Sequence, residues 1–387
     1  MLIILSISIG LFAGISVLCL YKGMMKNRVR NVIYSEQGHL QLHDSDFKKD
    51  YDPKYVIKNG AQILKSIDQL PQVKFASPRS ITNGMLLDAT GSAGVQIIGV
   101  IPELEYKVSQ LKAKIIEGTP FDTTRNNQII IGKKLADKMK LKLKSKLVLT
   151  FTDSTENLVS GAFRVAAIYR SSNSTFDERN VYVNLSDFDN LLNINNAFHE
   201  IVIILKNDDS IKPAQNLLKK DFPGYQIENW REISPETDLL VNTTNQYSYI
   251  IIVIIMLALA FGITNTMLMA ILERTREIGM MVALGTSRIR IFLLILLETI
   301  FITLAGTPLG ILISWIGINY FNSHGLDIAG KGGEMMSSFG FDSILYPEFP
   351  IEKLPGILII VTITAILSSL IPAIKALRLQ PAEALRK

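Results

Sequence analysis

The sequence runs to 387 residues with a net charge of +5, and 48% of it is apolar. The apolar residues collect in four long runs, which puts the chain in the membrane class, and its length allows two or three domains. The positive excess forms no block of like charges and no basic stripe interleaved with aromatics, which argues against nucleic-acid binding. A single cysteine, Cys19, rules out a disulfide within the chain.

Residues 2–20 are apolar apart from small or weakly polar side chains, just long enough to cross a bilayer. A cleaved signal peptide is the rival reading. No basic region precedes the run, and Lys22-Gly-Met-Met-Lys-Asn offers no small-x-small cleavage site, so a retained helix over 1–20 is expected. Lys22, Lys26, Arg28 and Arg30 follow it and, by the positive-inside rule, would place the next domain in the cytoplasm. Later segments argue the reverse. Arg274, Arg276, Arg288 and Arg290 flank one loop, and Lys375, Arg378, Arg386 and Lys387 follow the last run. Between them 321–353 is acidic, with Asp327, Glu334, Asp342, Glu348 and Glu352 against Lys331 and Lys353. Two of three signals put 21–247 outside the cytoplasm, a length ample for a core of its own.

Within 21–247 the pattern is α+β. Gly38-His-Leu-Gln-Leu-His alternates like a half-buried strand. Asp52-Pro53 is expected to open a helix with Val56, Ile57, Ala61, Leu64 and Ile67 on one face. Leu141, Leu143, Leu147, Leu149 and Phe151 alternate as a strand, 163–169 and 181–183 read as two more, and 200–205 as another. Ser210 should cap a helix reaching Leu218, with a last strand over 225–228. Strand–helix units thus stand at both ends of a β-rich insert over roughly 75–195.

The second membrane helix is expected over 248–269, its polar Thr264, Asn265 and Thr266 more often a contact between helices than with substrate. The third, over 292–320, exceeds what a bilayer requires. Gly306 and Pro308 near its middle predict a kink or a long helix extending beyond the membrane. After an extracytoplasmic loop over 321–353, the fourth helix covers 354–376 and a cytoplasmic tail 377–387. Between the second and third helices lies 271–288. Glu273, Arg274, Arg276 and Glu277 alternate in charge, Ile278, Met281, Val282 and Leu284 recur at helical spacing, and Gly285 closes the run. Such a segment reads either as a solvated loop or as a short helix that docks into a groove of another protein.

The run Glu273-Arg-Thr-Arg-Glu-Ile-Gly-Met-Met-Val-Ala-Leu-Gly285, set between two membrane helices, resembles the signature of FtsX-like permeases. These are the membrane subunits of MacB-type and lipoprotein-releasing (LolC/LolE-type) ABC transporters. The family layout, one helix, a large extracytoplasmic domain and three further helices, fits nearly the whole chain. So the resemblance implies an α-helical membrane protein of four transmembrane helices with a large α+β extracytoplasmic domain of porter-like strand–helix units plus the β-rich insert. It further implies that 271–288 is a cytoplasmic coupling helix touching an ATPase. Glu273, Arg274, Arg276, Glu277, Ile278, Gly279, Leu284 and Gly285 carry the match; Arg274 and Glu277 would make polar contacts, Ile278 and Leu284 apolar ones. The tail Arg378-Leu-Gln-Pro-Ala-Glu-Ala-Leu-Arg386 resembles the family's ending. Family members begin with a basic amphipathic segment, so a start upstream of Met1 is expected.

No stretch fits a P-loop: Gly132-Lys-Lys and Gly330-Lys-Gly-Gly lack its spacing and hydroxyl residue. ATP and Mg are therefore expected on a partner ATPase dimer, with no cofactor on this chain and no catalysis by it. His39, His43, His199 and His324 are the histidines; His39 and His43 share a strand face, but without a Cys or carboxylate cluster no metal site is expected.

The resemblance implies a permease of the bacterial inner membrane, paired with a second permease copy, like or unlike. Three functions fit it: lipoprotein release, MacB-like export of drugs or peptides, or FtsX-like signalling to a cell-wall hydrolase. Gly38-His-Leu-Gln-Leu-His-Asp and Asp50-Tyr-Asp-Pro resemble the early strand region of LolC/LolE-type permeases and favour the first. The stretch 152–161, where carrier-recruiting relatives have a proline-bearing hook, is short and has no proline.

Overall fold

The computed structural model describes residues 2–122, 124–194, 197–327 and 333–377, so the tail motif at 378–386 lies outside the described residues. The chain divides into two compact units, 26–239 with 328–343, and 1–25 with 240–327 and 344–387.

The first unit is built on strands β1 (Leu40–His43), β2 (Val73–Leu87), β3 (Ser92–Val100), β4 (Ile115–Gly118), β5 (Gln128–Gly132), β6 (Lys146–Thr152), β7 (Leu158–Tyr169), β8 (Asn180–Asn184), β9 (Glu200–Leu205) and β10 (Gln226–Asn229). Four of them lie in the order β10-β1-β9-β2 and pair antiparallel. With helices Gly60–Asp68 after β1 and Ile211–Asp221 after β9, this is a split βαβ layer of ferredoxin type. Leu40, Leu42, Ile67, Ile203 and Leu218 fill the space between strands and helices.

β2 is shared. Its first half pairs with β9, and its second half pairs with β3 on one side and β6 on the other. From there β3 pairs with β8, β8 with β5, β5 with β7 and β7 with β6. The ring closes, so the insert is a six-stranded barrel, filled by Leu86, Ile97, Ile131, Leu149, Phe163 and Val183. It begins inside β2 rather than after it.

Three expectations need correction. Asp52-Pro53 opens a single turn, not a helix; the helix starts at Gly60. Tyr51 and Asn59 both take positive φ, 57° and 55°, and Ile57 is held in a bridge to Phe198, so no helix can span them. The strand expected from Leu141 begins at Lys146 instead. Leu141 is bonded back to Ala136 at the end of the preceding helix, and Lys144 turns the chain at φ 66°. β1 is also buried on both faces rather than one. His39 is bonded to Asp208 at 3.0 Å and His43 to Glu228 at 3.0 Å, which satisfies its polar face.

Four helices among the described residues are long and apolar enough to cross a membrane: Leu2–Asn31, Pro235–Glu273, Arg288–His324 and Leu354–Leu377; the first two begin or end in the first unit and otherwise all four belong to the second. The second and third are 39 and 37 residues long. At 1.5 Å per residue that is about 58 and 55 Å, well beyond a hydrocarbon core of about 30 Å. The third runs unbroken through Pro308. Gly306 and Gly310 serve its packing. An added Cβ on Gly306 would lie 3.2 Å from Ile7, one on Gly310 2.9 Å from Leu11, and Ser8 donates a hydrogen bond to the Gly306 carbonyl at 3.0 Å. Thr299, Thr303, Thr307 and Ser314 line the same buried face, each hydroxyl bonded back to the carbonyl four residues earlier. Thr264 donates to the Ser368 carbonyl of the fourth helix at 3.1 Å, a contact between helices.

Candidate coupling segment

The second membrane helix stops at Glu273 because Arg274 leaves helical geometry, at φ −98° and ψ 18°. Thr275 then bonds its hydroxyl to the Ile271 and Leu272 carbonyls at 3.2 and 2.8 Å, turning the chain into a short helix, Thr275–Ala283. Gly285, at φ +87°, ends it. Its N–H reaches the Val282 carbonyl at 3.1 Å, and Thr286 N–H reaches Met281 at 3.0 Å, the paired bonds of a Schellman ending. The third membrane helix begins three residues past Gly285, at Arg288.

The short helix has two faces. Ile278 and Gly279 are buried, and Ile278 packs with Met267, Ile271, Ile291 and Ile295 of the two flanking helices. Arg274 adds a polar brace, its Nη1 2.7 Å from Glu298 of the third helix. A half-exposed pair of this kind is worth about 0–1 kcal/mol, so it sets direction more than stability. On the other face Glu273, Arg276, Glu277, Met280 and Leu284 are exposed, Leu284 at 86%. The apolar contact expected of Ile278 toward an outside partner is therefore unavailable; that side chain is spent inside its own bundle. Leu284 remains open. Glu298 was missed by sequence reasoning, although a lone acidic residue within the apolar run 292–320 is the signal that finds it.

No group of three or more His, Cys, Asp or Glu side chains gathers as a metal would need among the described residues. In the strand unit His43, together with Lys48 at 3.1 Å, holds Glu228 down at about 2 through the hydrogen bond to the carboxylate.

Two family models match. The MacB-like periplasmic core domain covers 1–221 and the FtsX-like permease C-terminal domain covers 249–381. The chain belongs to the MacB-like and FtsX-like permease family, a membrane protein with an extracytoplasmic domain between its first two membrane helices. Among relatives, the lipoprotein-releasing system transmembrane protein LolC of Haemophilus influenzae is 24% identical over 340 residues, 83% of this chain and 80% of its own. The macrolide export ATP-binding/permease protein MacB of Campylobacter jejuni is 27% identical over 180 residues, 43% of this chain. The match spans 28% of that relative's length. The solved periplasmic region of MacB from Actinobacillus actinomycetemcomitans matches 55% of this chain and 97% of its own, at 13% identity and TM-score 0.38.

Proposed function

We propose that this chain is the permease subunit that couples ATP hydrolysis by a separate cytoplasmic ATPase dimer to movement of its extracytoplasmic domain, releasing lipoproteins from the inner membrane. The observation that carries this is the two-faced helix Thr275–Ala283. Its buried face is locked to both flanking membrane helices, so a push on its outer face moves them together. Glu273, Arg276, Glu277 and Leu284 are the contacts, with ATP and Mg held by the ATPase. A second permease completes the complex. The match to the LolC relative over most of both chains supports lipoprotein release. Export of small molecules is the second reading, supported by the match to the macrolide exporter. Between β6 and β7 the chain makes a tight turn at 153–157, with Asp153 accepting from Thr155 and Asn157 at 2.9 and 2.8 Å. A hook for a soluble carrier then falls to the other permease.

Reversing Glu277 to Lys should abolish coupling while leaving the protein folded, because that side chain is exposed. Stimulation of the ATPase in the assembled complex is the readout, and an unchanged value would overturn the coupling role. Mass spectrometry of the complex purified in mild detergent decides the cargo: bound lipoproteins with a second, different permease support release, and their absence supports export.

A further inference from the structure

The chain leaving the first membrane helix changes winding. The helix Leu2–Asn31 passes directly into a π-helical stretch, Val32–Gln37, with Val32, Ile33, Ser35 and Glu36 buried. Such wide turns are rare and concentrate at functional positions. Here the consequence is visible in one ion pair. Arg28 Nη1 donates to Glu36 Oε1 at 2.8 Å, with side chains 6% and 7% exposed. Eight residues along a regular α-helix would leave the two about 80° apart around the axis. The π winding turns less per residue and brings Glu36 back over Arg28.

The same guanidinium touches more than its own helix. Nη2 donates to Thr237 Oγ1 at 3.3 Å, in the first turn of the helix that becomes the second membrane span. Gly340, at φ +79°, lies against it so closely that an added Cβ would fall 2.5 Å from Nη1. Gly340 belongs to the segment joining the third and fourth membrane helices. One buried arginine thus gathers three stretches of chain that continue into different membrane helices. On the other side, Glu36 accepts from Asn173 Nδ2 at 3.2 Å, and its carbonyl accepts from Arg79 Nη1 of β2 at 3.1 Å. Asn173 caps the helix Ser174–Arg179, which is bonded to the joining segment through Thr175 with the Ser338 carbonyl, as is Ser172 just before the cap with Asp342.

We propose that Arg28 is the clamp through which displacement of the membrane helices is delivered to the extracytoplasmic domain. A buried ion pair is weak evidence for stability, because apolar side chains of the same size would hold the site at less desolvation. What a guanidinium supplies is several fixed donor directions at once, which locks the relative placement of the groups around it. Arg28 and Glu36 are positioning residues in this scheme, and the scheme rests on the coupling function proposed above.

The test uses the full chain assembled with its ATPase in nanodiscs. Hydrogen exchange is followed with and without Mg²⁺ and a non-hydrolysable ATP analogue. In the wild type, nucleotide should change exchange both in 271–288 and in the strands of the extracytoplasmic domain. Arg28→Ala should keep the first response and lose the second. Glu36→Gln, which keeps size and shape, should do the same, and it decides the matter if Arg28→Ala fails to fold. Arg28→Lys, able to reach Glu36 but not Thr237 as well, should recover part of the strand response, which a merely structural role would not grade in this way. Wild-type strand responses in both Arg28→Ala and Glu36→Gln overturn the clamp. So does a wild type that responds in 271–288 and nowhere in the strands, which leaves docking of the ATPase on that segment standing. Silence of the wild type in both regions overturns the coupling function and the clamp together.

Discussion

Arg79 offers the sharpest test of how the extracytoplasmic unit is held. It lies in β2, 3% exposed, with Nη2 2.7 Å and Nε 3.1 Å from the two oxygens of Glu105, and Nη1 3.4 Å from Glu200. Glu105 is wholly buried and also accepts from Ser77. One positive charge therefore serves two buried carboxylates. Replacing Arg79 by Met strands both, and breaking such a pair from one side costs about 3–5 kcal/mol. That is a large part of the roughly 5–15 kcal/mol that holds an ordinary domain.

The pH dependence gives the mechanism away. Burial pushes the Glu105 carboxyl up, but Arg79 overcomes this and holds it below the usual range. In the wild type its stabilising contribution is present above the ordinary glutamate value near 4.3, and is lost as pH falls through the lower folded value. Without Arg79, burial acts against only the hydrogen bonds from Ser109 and Ser77, and it is the largest influence, so Glu105 takes up a proton in the folded state. The deficit of Arg79→Met should then be smallest near pH 4 and grow as pH rises toward neutrality. Urea unfolding of the full chain in detergent reads this through Trp230, buried in the same unit, with Trp315→Phe removing the other tryptophan. The double variant Arg79→Met with Glu105→Met should be less damaged than Arg79→Met alone. A deficit below about 1 kcal/mol at neutral pH, or one equal at both ends of the range, would refute the account.

Three further outcomes are expected. His199 is buried, accepts from Ile81 N–H at 2.9 Å and bonds the Pro53 carbonyl at 3.0 Å; burial pushes it down to about 4. Its contribution is complete above the unfolded value near 6.5 and is lost as pH falls toward 4, about 3 kcal/mol in all. Asp177, pushed up to about 6 by burial, acts in the opposite sense over part of that window, so the difference between wild type and His199→Gln is the quantity to measure. Gly132→Ala would set its Cβ 1.9 Å from the Asp177 carbonyl oxygen, backbone against backbone, and should lower stability by about 3 kcal/mol, whereas Gly94→Ala meets nothing within 4 Å and should be near neutral by thermal melt. Gly285→Ala meets no neighbour either, but φ +87° should cost about 1–2 kcal/mol, seen as faster exchange of the Thr286 amide.

What the sequence discloses depends on whether a feature is local. The four apolar helices were readable because hydropathy along one segment decides them, and β8 and β9 because short β-branched runs such as Glu200–Leu205 can be little else. β2 was not readable. Its residues Ser77, Pro78, Arg79, Ser80 and Thr82 show no alternation of apolar and polar, because both faces are buried and the polar side chains find partners far along the chain. Ser80 is bonded to Asp189 and Arg79 to Glu105 and Glu200. Closure of the barrel from β6 back to β2 is likewise a contact between distant segments. The short helix Thr275–Ala283 falls between these cases. Periodicity gives a face to Ile278 and another to Glu277, yet not which face the chain covers by itself. That is settled by Ile291, Ile295 and Glu298, which only the return of the third helix brings to the site. The exposed Glu273, Glu277 and Leu284 lie on the face turned away from Ile278, the face open to a docking partner.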